Sequence, residues 1–190
     1  IGFEEGEHTE EKLLNADLVV KSPGIPDQVA IVQKLLQNEI PVIAELEFAS
    51  RFTKAKIIGI TGTNGKTTTT LLLFHILKEA GLSVGLAGNV GTSMARQVIE
   101  DNFDYYVVEI SSFQLDGIVD FKPFISIILN ITPDHLDRYE NSFQKYSDSK
   151  FRIVQNMNEE GHFIYCQDDG EILRQLENRS ISAKKHAFSI

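Results

Sequence analysis

Short apolar segments rich in β-branched residues alternate along the chain with longer segments that show helical spacing or helix caps. This alternation is typical of a parallel sheet whose strands are joined by crossover helices. The predicted strands cover residues 17–20, 41–44, 56–61, 83–87, 105–109, 125–130, 163–165 and 185–190. The predicted helices cover residues 27–38, 66–80, 92–100, 142–156 and 170–177. The pattern predicts an α/β fold with a mainly parallel sheet and crossover helices.

Local signals refine these elements. Gly81 is predicted to end the second helix, and Asp27 is predicted to cap the first. A polar segment, residues 45–55, separates two predicted strands, and we expect a seam between two structural units there. Cys166 is the only cysteine, which excludes an intramolecular disulfide and a cysteine-based zinc cluster, so it is predicted to be a buried strand residue.

Charge and hydropathy limit the function classes. The chain has 190 residues and a formal net charge of −9, which argues against a nucleic-acid partner because such proteins present a clustered basic surface. No apolar run approaches the roughly 20 residues that span a bilayer, and the first residues are acidic where a signal peptide would be basic. We therefore expect a cytoplasmic protein with no membrane partner, in which any anionic ligand is held by local groups.

The strongest chemical signal is a glycine-rich turn between the strand at 56–61 and the helix at 66–80. Backbone N–H groups in such a turn form an anion nest, the lysine reaches the β and γ phosphates, and a following hydroxyl can bind magnesium. A strict P-loop has glycine where this chain has Ile60. The simpler interpretation is a tight turn with a solvated lysine. The predicted ATP-binding residues are Gly62, Thr63, Asn64, Gly65, Lys66, Thr67 and Thr68.

Two further strands are followed by polar residues. Glu109 ends the strand at 105–109, where the carboxyl ends of parallel strands line a ligand crevice, so it is a candidate magnesium ligand. It could equally be a surface glutamate. His135 follows the strand at 125–130 and is a candidate metal ligand or donor to a substrate carboxylate. For its neighbours Asp134 and Asp137 we favour turn capping.

Five features, in this order, resemble the central domain of the Mur ligase family: the loop at 62–68, Gly88-Asn89, the segments at 109–115 and 130–139, and Lys150. Ser-Ser-Phe-Gln-Leu at 111–115 and Ser-Pro-Gly-Ile-Pro at 22–26 resemble the D-glutamate-adding member in particular. The resemblance covers nearly the whole chain. It implies a P-loop-type ATPase central domain at 45–190, incomplete and preceded at 1–44 by the end of a Rossmann-like UDP-binding domain. The amino-acid-binding C-terminal domain would be absent, so we expect the 190-residue chain alone to be inactive.

The resemblance also implies a reaction. ATP would phosphorylate the carboxylate of UDP-N-acetylmuramoyl-L-alanine, and D-glutamate would displace phosphate from the resulting acyl phosphate, in a cytoplasmic step of peptidoglycan synthesis. Two magnesium ions would assist, the first bound by Thr67 and Glu109 and the second by His135. The implied catalytic residues are Lys66, Glu109, His135 and Lys150.

Members of this family carry an N-carboxylated lysine at the position that Lys150 matches. That modification turns a cation into an anionic oxygen ligand for the second magnesium ion. Without the resemblance, Lys150 would be interpreted as an ordinary lysine on a helix surface. The substrate-binding residues that the resemblance implies are Ser22, Pro23 and Gly24 at the diphosphate, Asn89 at the muramoyl group, His135 at the reacting carboxylate, and Ser111 and Gln114 with weaker support.

Other functions stay open at this point. A sibling Mur ligase or a folylpolyglutamate ligase would share the phosphate loop but differ after Glu109. A P-loop kinase has no evident need for Lys150, and a non-catalytic nucleotide-binding module has none for Glu109 and His135. We expect an ATP-dependent, ADP-forming ligase that is a monomer.

Overall fold

The chain folds into two parallel sheets of different size. The computed structural model describes residues 2–190. The small sheet pairs β1 (Val19–Lys21) with β2 (Val42–Ala44), and the large sheet has six strands in the order β4-β5-β3-β6-β7-β8. These six are β3 (Lys56–Thr61), β4 (Val84–Gly88), β5 (Tyr105–Glu109), β6 (Ile125–Ile128), β7 (His162–Cys166) and β8 (Lys184–Phe188). Neighbouring strands pair in parallel throughout, which confirms the predicted α/β class.

Eight α-helices connect or flank the strands of residues 2–190. They are α1 (Glu10–Leu14), α2 (Ala30–Gln37), α3 (Glu45–Ser50), α4 (Lys66–Glu79), α5 (Met94–Val98), α6 (Ser112–Asp116), α7 (Phe143–Phe151) and α8 (Gly170–Glu177). Two 3₁₀ segments, Leu136–Tyr139 and Arg152–Val154, lie on either side of α7. None of the helices in this described part is both long and apolar enough to cross a membrane.

The large sheet is covered on both faces, as a parallel sheet requires. On one face, Leu73, Phe74 and Leu77 of α4 pack against strand residues that include Ile60 and Val107. On the other face a larger cluster joins residues of α3, α5, α6, α7 and α8 to the sheet. The carboxyl ends of the central strands therefore open between two helical layers.

Several predicted boundaries were wrong. Asp27 does not cap α2, because the helix begins at Ala30 and the Asp27 carboxylate pairs with Lys21 at 2.9 Å. The helix predicted at 92–100 is limited to α5, which the Ser93 side chain caps. The strand predicted at 125–130 ends at Ile128, and the helix predicted at 142–156 divides into α7 and a 3₁₀ segment.

Other local predictions are confirmed. Gly81 has a φ of 80° directly after the Ala80 cap of α4, and Cys166 is a buried residue of β7. The polar segment at 45–55 contains α3, whose Leu46 and Ala49 are buried in the core of the large sheet. α3 therefore already packs in the core of the large sheet. The division into units at residues 44 and 45 stays a prediction.

Candidate active site

The glycine-rich loop between β3 and α4 has the backbone of an anion nest. Gly62 and Gly65 have φ angles of 154° and 80°, in a region that side chains rarely adopt. A Cβ atom on Gly62 would lie 3.1 Å from the Leu129 Cβ atom. α4 begins at Lys66, so the N–H groups of its first turn precede any helical acceptor and point toward the loop.

The segment that follows β6 holds this loop. The Asn130 side chain accepts a hydrogen bond from the Asn64 N–H at 2.8 Å and donates one to the Asn64 carbonyl oxygen at 3.0 Å. The Thr63 hydroxyl bonds both backbone groups of Thr132 at 3.0 Å and lies 3.1 Å from the Tyr146 hydroxyl. Asn130 is not among the predicted site residues, although its place after a buried strand next to β3 is a signal that points to it.

Lys66 and Lys150 converge on one oxygen of the loop. The Lys66 Nζ donates to the carbonyl oxygens of Gly62 and Thr63 at 3.0 and 2.9 Å, and the Lys150 Nζ donates to the Gly62 oxygen at 2.8 Å. Lys150 is 1% exposed, so it is not a solvated lysine on the surface of α7. Burial, and next the positive charge of Lys66, lower the pKa of Lys150 to about 7.

Glu109 lies at the carboxyl end of β5, beside Ile60 of β3. It is buried, so the interpretation as a surface glutamate is excluded. Its Oε1 atom accepts a hydrogen bond from the Asn89 side chain at 2.8 Å, whereas its buried Oε2 atom has no hydrogen-bond partner within residues 2–190. The absence of a side chain at Gly88 lets β4 lie close to β5 here, since a Cβ atom on Gly88 would lie 2.2 Å from the backbone carbonyl oxygen of Glu109.

His135 lies in the segment that also holds the phosphate loop. Its φ of 48° is in the left-handed region, and its side chain is exposed. The imidazole ring lies 5.3 Å from the Phe113 ring and its Nε2 atom 3.5 Å from an Asp134 oxygen. Asp134 also accepts a hydrogen bond from the His135 N–H at 2.9 Å, and no side chain caps the 3₁₀ segment that begins at Leu136. His135 is therefore positioned by its turn and by Phe113.

Ser111 and Gln114 form a capping box at the start of α6. The Ser111 hydroxyl accepts from the Gln114 N–H, and the Gln114 Oε1 atom accepts from the Ser111 N–H at 2.9 Å. These polar atoms stabilise the helix end. Ser22, Pro23 and Gly24 form a turn after β1, and Pro23 lines a small cavity of about 40 Å³ together with Phe113 and Arg138.

The structure therefore brings the predicted residues together in separate groups. Lys66 and Lys150 meet at the loop, and Asn89, directly after β4, meets Glu109 at the end of β5. The turn at 22–24 shares a small cavity with Phe113 of α6. Among the described residues, no three His, Cys, Asp or Glu side chains group as a metal site. A metal ion here would need hydroxyl, phosphate or modified-lysine oxygen ligands in addition to Glu109.

Known proteins resemble this chain over its full length. The family model of the Mur ligase middle domain matches residues 60–190. A UDP-N-acetylmuramoylalanine–D-glutamate ligase of Bacteroides fragilis is 54% identical over 189 residues, which cover 100% of this chain and 43% of that relative. The ligase of the same name from Porphyromonas gingivalis is 54% identical over 190 residues, with coverage of 100% and 42%. The chain thus spans less than half the length of these relatives.

Solved structures share the fold. The UDP-N-acetylmuramate:L-alanyl-gamma-D-glutamyl-meso-diaminopimelate ligase of Neisseria meningitides superposes with a TM-score of 0.64 at 19% identity, over 91% of this chain and 58% of that chain. A MurF ligase of Thermotoga maritima in complex with ADP gives a TM-score of 0.60 at 16% identity, with coverage of 93% and 51%. On the match of the middle-domain model and the identity to these relatives, the chain belongs to the Mur ligase family.

Proposed function

We propose that the protein that contains this chain joins D-glutamate to UDP-N-acetylmuramoyl-L-alanine with ATP as the energy source. Relatives that carry the name of this activity are 52–54% identical over the full chain. The structural observation that carries the proposal is the buried Glu109 carboxylate, whose Oε2 atom has no hydrogen-bond partner in the described residues, on the strand next to the phosphate loop. A nucleotide-binding site that serves only to hold ATP has no need to bury this charge.

The loop at 62–68 is the proposed ATP site. Asn64, Gly65, Thr67 and Thr68 are exposed, so phosphate groups can reach the start of α4. The N–H groups of the first turn and the helix dipole favour an anion there. Lys66, which now donates to two loop carbonyls, would instead contact the β and γ phosphates and offset their charge.

Magnesium fits the same end of the sheet. The Thr67 hydroxyl and the Glu109 Oε2 atom, which has no partner among residues 2–190, are the proposed ligands of a first ion, and both are oxygen donors of the kind that magnesium prefers. Asn89 orients the carboxylate by holding its other oxygen at 2.8 Å. When bound, the ion neutralises negative charge on the phosphates during transfer.

Lys150 is proposed to carry a carboxyl group. Its lowered pKa of about 7 leaves a large neutral fraction near pH 7, and only the neutral amine can add carbon dioxide. The nitrogen lone pair bonds to the carbon of carbon dioxide, one proton leaves the nitrogen, and a carbamate with an anionic carboxylate forms. With His135, this group is proposed to hold a second magnesium ion beside the reacting carboxylate.

Ser22 and Gly24, on either side of Pro23, which has no N–H group, are proposed to bind the diphosphate of the UDP substrate through their backbone N–H groups. Asn89 is proposed to bind the muramoyl group. Ser111 and Gln114 are proposed to act chiefly through the capping box, which positions the start of α6 beside the substrate. Bound substrate would extend from the turn at 22–24 toward His135, because Phe113 lines a cavity with Pro23 and its ring lies 5.3 Å from the His135 ring. This placement aligns the acceptor carboxylate with the phosphate loop.

The proposed reaction has two steps. A substrate carboxylate oxygen attacks the γ-phosphorus of ATP, and the bond between that phosphorus and the β-γ bridging oxygen breaks. ADP departs, and the substrate now carries an acyl phosphate. The amine of D-glutamate then attacks the acyl carbon, phosphate leaves, and the nitrogen releases a proton. The residues of this chain contribute position and charge compensation in both steps. Because ATP is the energy source, we propose a cytoplasmic location, and we propose a monomer.

Phosphate release by the full-length protein tests the proposal. The reaction contains ATP, magnesium and UDP-N-acetylmuramoyl-L-alanine, with D-glutamate, L-lysine or D-alanyl-D-alanine added in parallel. We expect release that depends on D-glutamate and is lost in Lys66→Ala. Release with another amine would move the protein to a sibling ligase, and binding of ATP without release under any condition would support a non-catalytic nucleotide-binding module.

A further inference from the structure

The side chain of Asn130 spans one residue of the phosphate loop. Its Oδ1 atom accepts from the Asn64 N–H at 2.8 Å, and its Nδ2 atom donates to the Asn64 carbonyl oxygen at 3.0 Å. The Asn130 backbone oxygen also accepts from the Thr63 N–H at 3.0 Å. Three hydrogen bonds from a single residue therefore fix two consecutive residues of the loop.

These bonds decide which loop donors stay available to an anion. The N–H groups of Thr63 and Asn64 are used by Asn130, although both residues were predicted to bind ATP. The N–H groups of Lys66, Thr67 and Thr68 lie in the first turn of α4, where no preceding helical carbonyl accepts them. Asn130 thereby orients the loop so that its phosphate donors come from the helix end.

The loop needs such an external restraint. It contains Gly62 and Gly65, which have more accessible backbone conformations than any other residue type. A loop that samples several conformations binds its ligand more weakly, because only the competent fraction can bind. A side chain that holds the competent conformation in advance raises affinity without touching the ligand.

We propose that Asn130 is a positioning residue that holds the phosphate loop in its nucleotide-binding conformation. The inference rests on the proposed function only in that ATP is taken to bind this loop. Asn130 acts through the Asn64 peptide. The role predicts a change in nucleotide affinity that is separate from any change in the stability of the fold.

The chain offers a matched control. Asn156 is also half-buried, and its Nδ2 atom donates to the backbone oxygens of Val119 and Phe121 at 2.7 and 3.1 Å, away from the phosphate loop. Asn156→Ala thus also removes two hydrogen bonds between an amide side chain and the backbone. Asn130→Ala is expected to fold, because Thr63 still bonds both backbone groups of Thr132.

The experiment measures ADP binding by calorimetry and thermal unfolding for the full-length wild type, Asn130→Ala, Asn130→Asp and Asn156→Ala. We expect about tenfold weaker ADP binding in Asn130→Ala, from the loss of two hydrogen bonds that order the loop. Asn130→Asp keeps the acceptor but loses the donor to Asn64, and we expect weaker binding there too. Asn156→Ala should bind ADP like the wild type despite a similar fall in melting temperature.

Steady-state kinetics supply a second readout. If Asn130 orders the loop before binding, Asn130→Ala raises the KM for ATP about tenfold and leaves kcat and the KM for the UDP substrate near the wild-type values. Equal ADP affinity in wild type and Asn130→Ala would overturn the inference, as would an equal loss of affinity in Asn156→Ala. Should Asn130→Ala not fold, the isosteric Asn130→Asp decides in its place. A wild type that binds no ADP would refute the proposed function itself.

Discussion

The Lys150 Nζ atom donates a hydrogen bond to the Gly62 carbonyl oxygen at 2.8 Å, so a buried helix residue directly touches the phosphate loop. The same oxygen accepts from Lys66 at 3.0 Å. Two cations thus share one acceptor, and their repulsion adds to the burial that lowers the pKa of Lys150. Carboxylation of Lys150 would remove one of these two cations.

Lys150→Met tests the cost of this buried amine. The pKa of Lys150 is about 7 in the folded protein against an ordinary 10.5. Between these values the unfolded chain binds the proton and the folded chain does not, so wild-type stability rises as the pH rises above 7. Below pH 7 both states bind it, and the cost of the buried cation is present in full. We expect Lys150→Met to be more stable than wild type at pH 6, with an advantage smaller by about 3 kcal/mol at pH 9.

Urea unfolding of the full-length protein at both pH values measures this difference, with carbon dioxide excluded so that Lys150 stays unmodified. Lys145→Met is the matched control, because Lys145 lies on the same helix with an exposed side chain. A gain of the same size and pH dependence in the control would assign the effect to net charge. An advantage of Lys150→Met that stays constant from pH 6 to 9 would contradict the shifted pKa.

Glu109→Gln separates the metal-binding role of the carboxylate from its structural role. The variant keeps the oxygen that accepts from Asn89 and removes a buried negative charge whose second oxygen has no hydrogen-bond partner within residues 2–190. Without magnesium we expect a higher melting temperature than wild type, because an uncompensated buried charge is destabilising. With magnesium and ATP we expect a smaller rise in melting temperature than wild type shows, and a fall in kcat of at least about a hundredfold.

Thermal unfolding with EDTA gives the melting temperature without magnesium, and thermal unfolding with magnesium and ATP gives the rise that they cause. The phosphate-release assay gives kcat. Glu159→Gln, at an exposed position, controls for the loss of one negative charge. A Glu109→Gln variant that is less stable than wild type in EDTA, and equally stabilised by magnesium and ATP, would show that Glu109 is structural.

The phosphate loop could be predicted because its chemistry is local. A buried strand, two glycines with positive φ angles and a helix that starts at Lys66 all lie within about a dozen consecutive residues. The burial of Lys150 could not be predicted in that way. α7 has a mixed polar sequence, and only its packing against the loop turns a lysine toward Gly62. The resemblance supplied what the helical pattern lacked.

The residues missed by sequence reasoning depend on long-range contacts. Asn130 meets Asn64 across 66 positions, and Glu47 meets Val119 across 72. Short helices such as α3 and α6 were missed as well, because five or six residues are too few to show a helical period. The capping box at Ser111 and Gln114 lies within a segment recognised first by its family resemblance.

Gly88→Ala tests the close approach of β4 to Glu109. Gly88 has a φ of 104°, and a Cβ atom there would lie 2.2 Å from the backbone carbonyl oxygen of Glu109. Gly81→Ala is the matched control, since Gly81 has a φ of 80° and no atom within 4 Å of its Cβ position. We expect a loss of about 1 kcal/mol for Gly81→Ala from backbone strain and of more than about 3 kcal/mol for Gly88→Ala, measured by urea unfolding. Equal losses would show that β4 can move away from Glu109.

Glu47→Gln tests a buried carboxylate that joins α3 to the segment at 119–121, between α6 and β6. Glu47 is fully buried in α3, and its Oε2 atom accepts from the N–H groups of Val119, Asp120 and Phe121 at 2.9, 3.0 and 2.7 Å. Burial alone would raise the pKa of Glu47, but these N–H groups and the Arg51 guanidinium outweigh it, and the pKa lies below its ordinary value. The three hydrogen bonds therefore favour the ionised form.

A carboxyl group with a lowered folded pKa stabilises the protein above its unfolded pKa, and this stabilisation disappears as the pH falls through the folded value. We therefore expect Glu47→Gln to be less stable than wild type by about 2 kcal/mol at pH 7, since an amide is a weaker acceptor and its NH₂ group faces donors. The deficit should shrink as the pH falls below the ordinary carboxyl pKa of 4.5, because the unfolded chain then binds a proton that the folded Glu47 carboxylate does not. Urea unfolding at pH 7 and at pH 3 measures both values, and a deficit that grows on acidification would contradict the lowered pKa of Glu47.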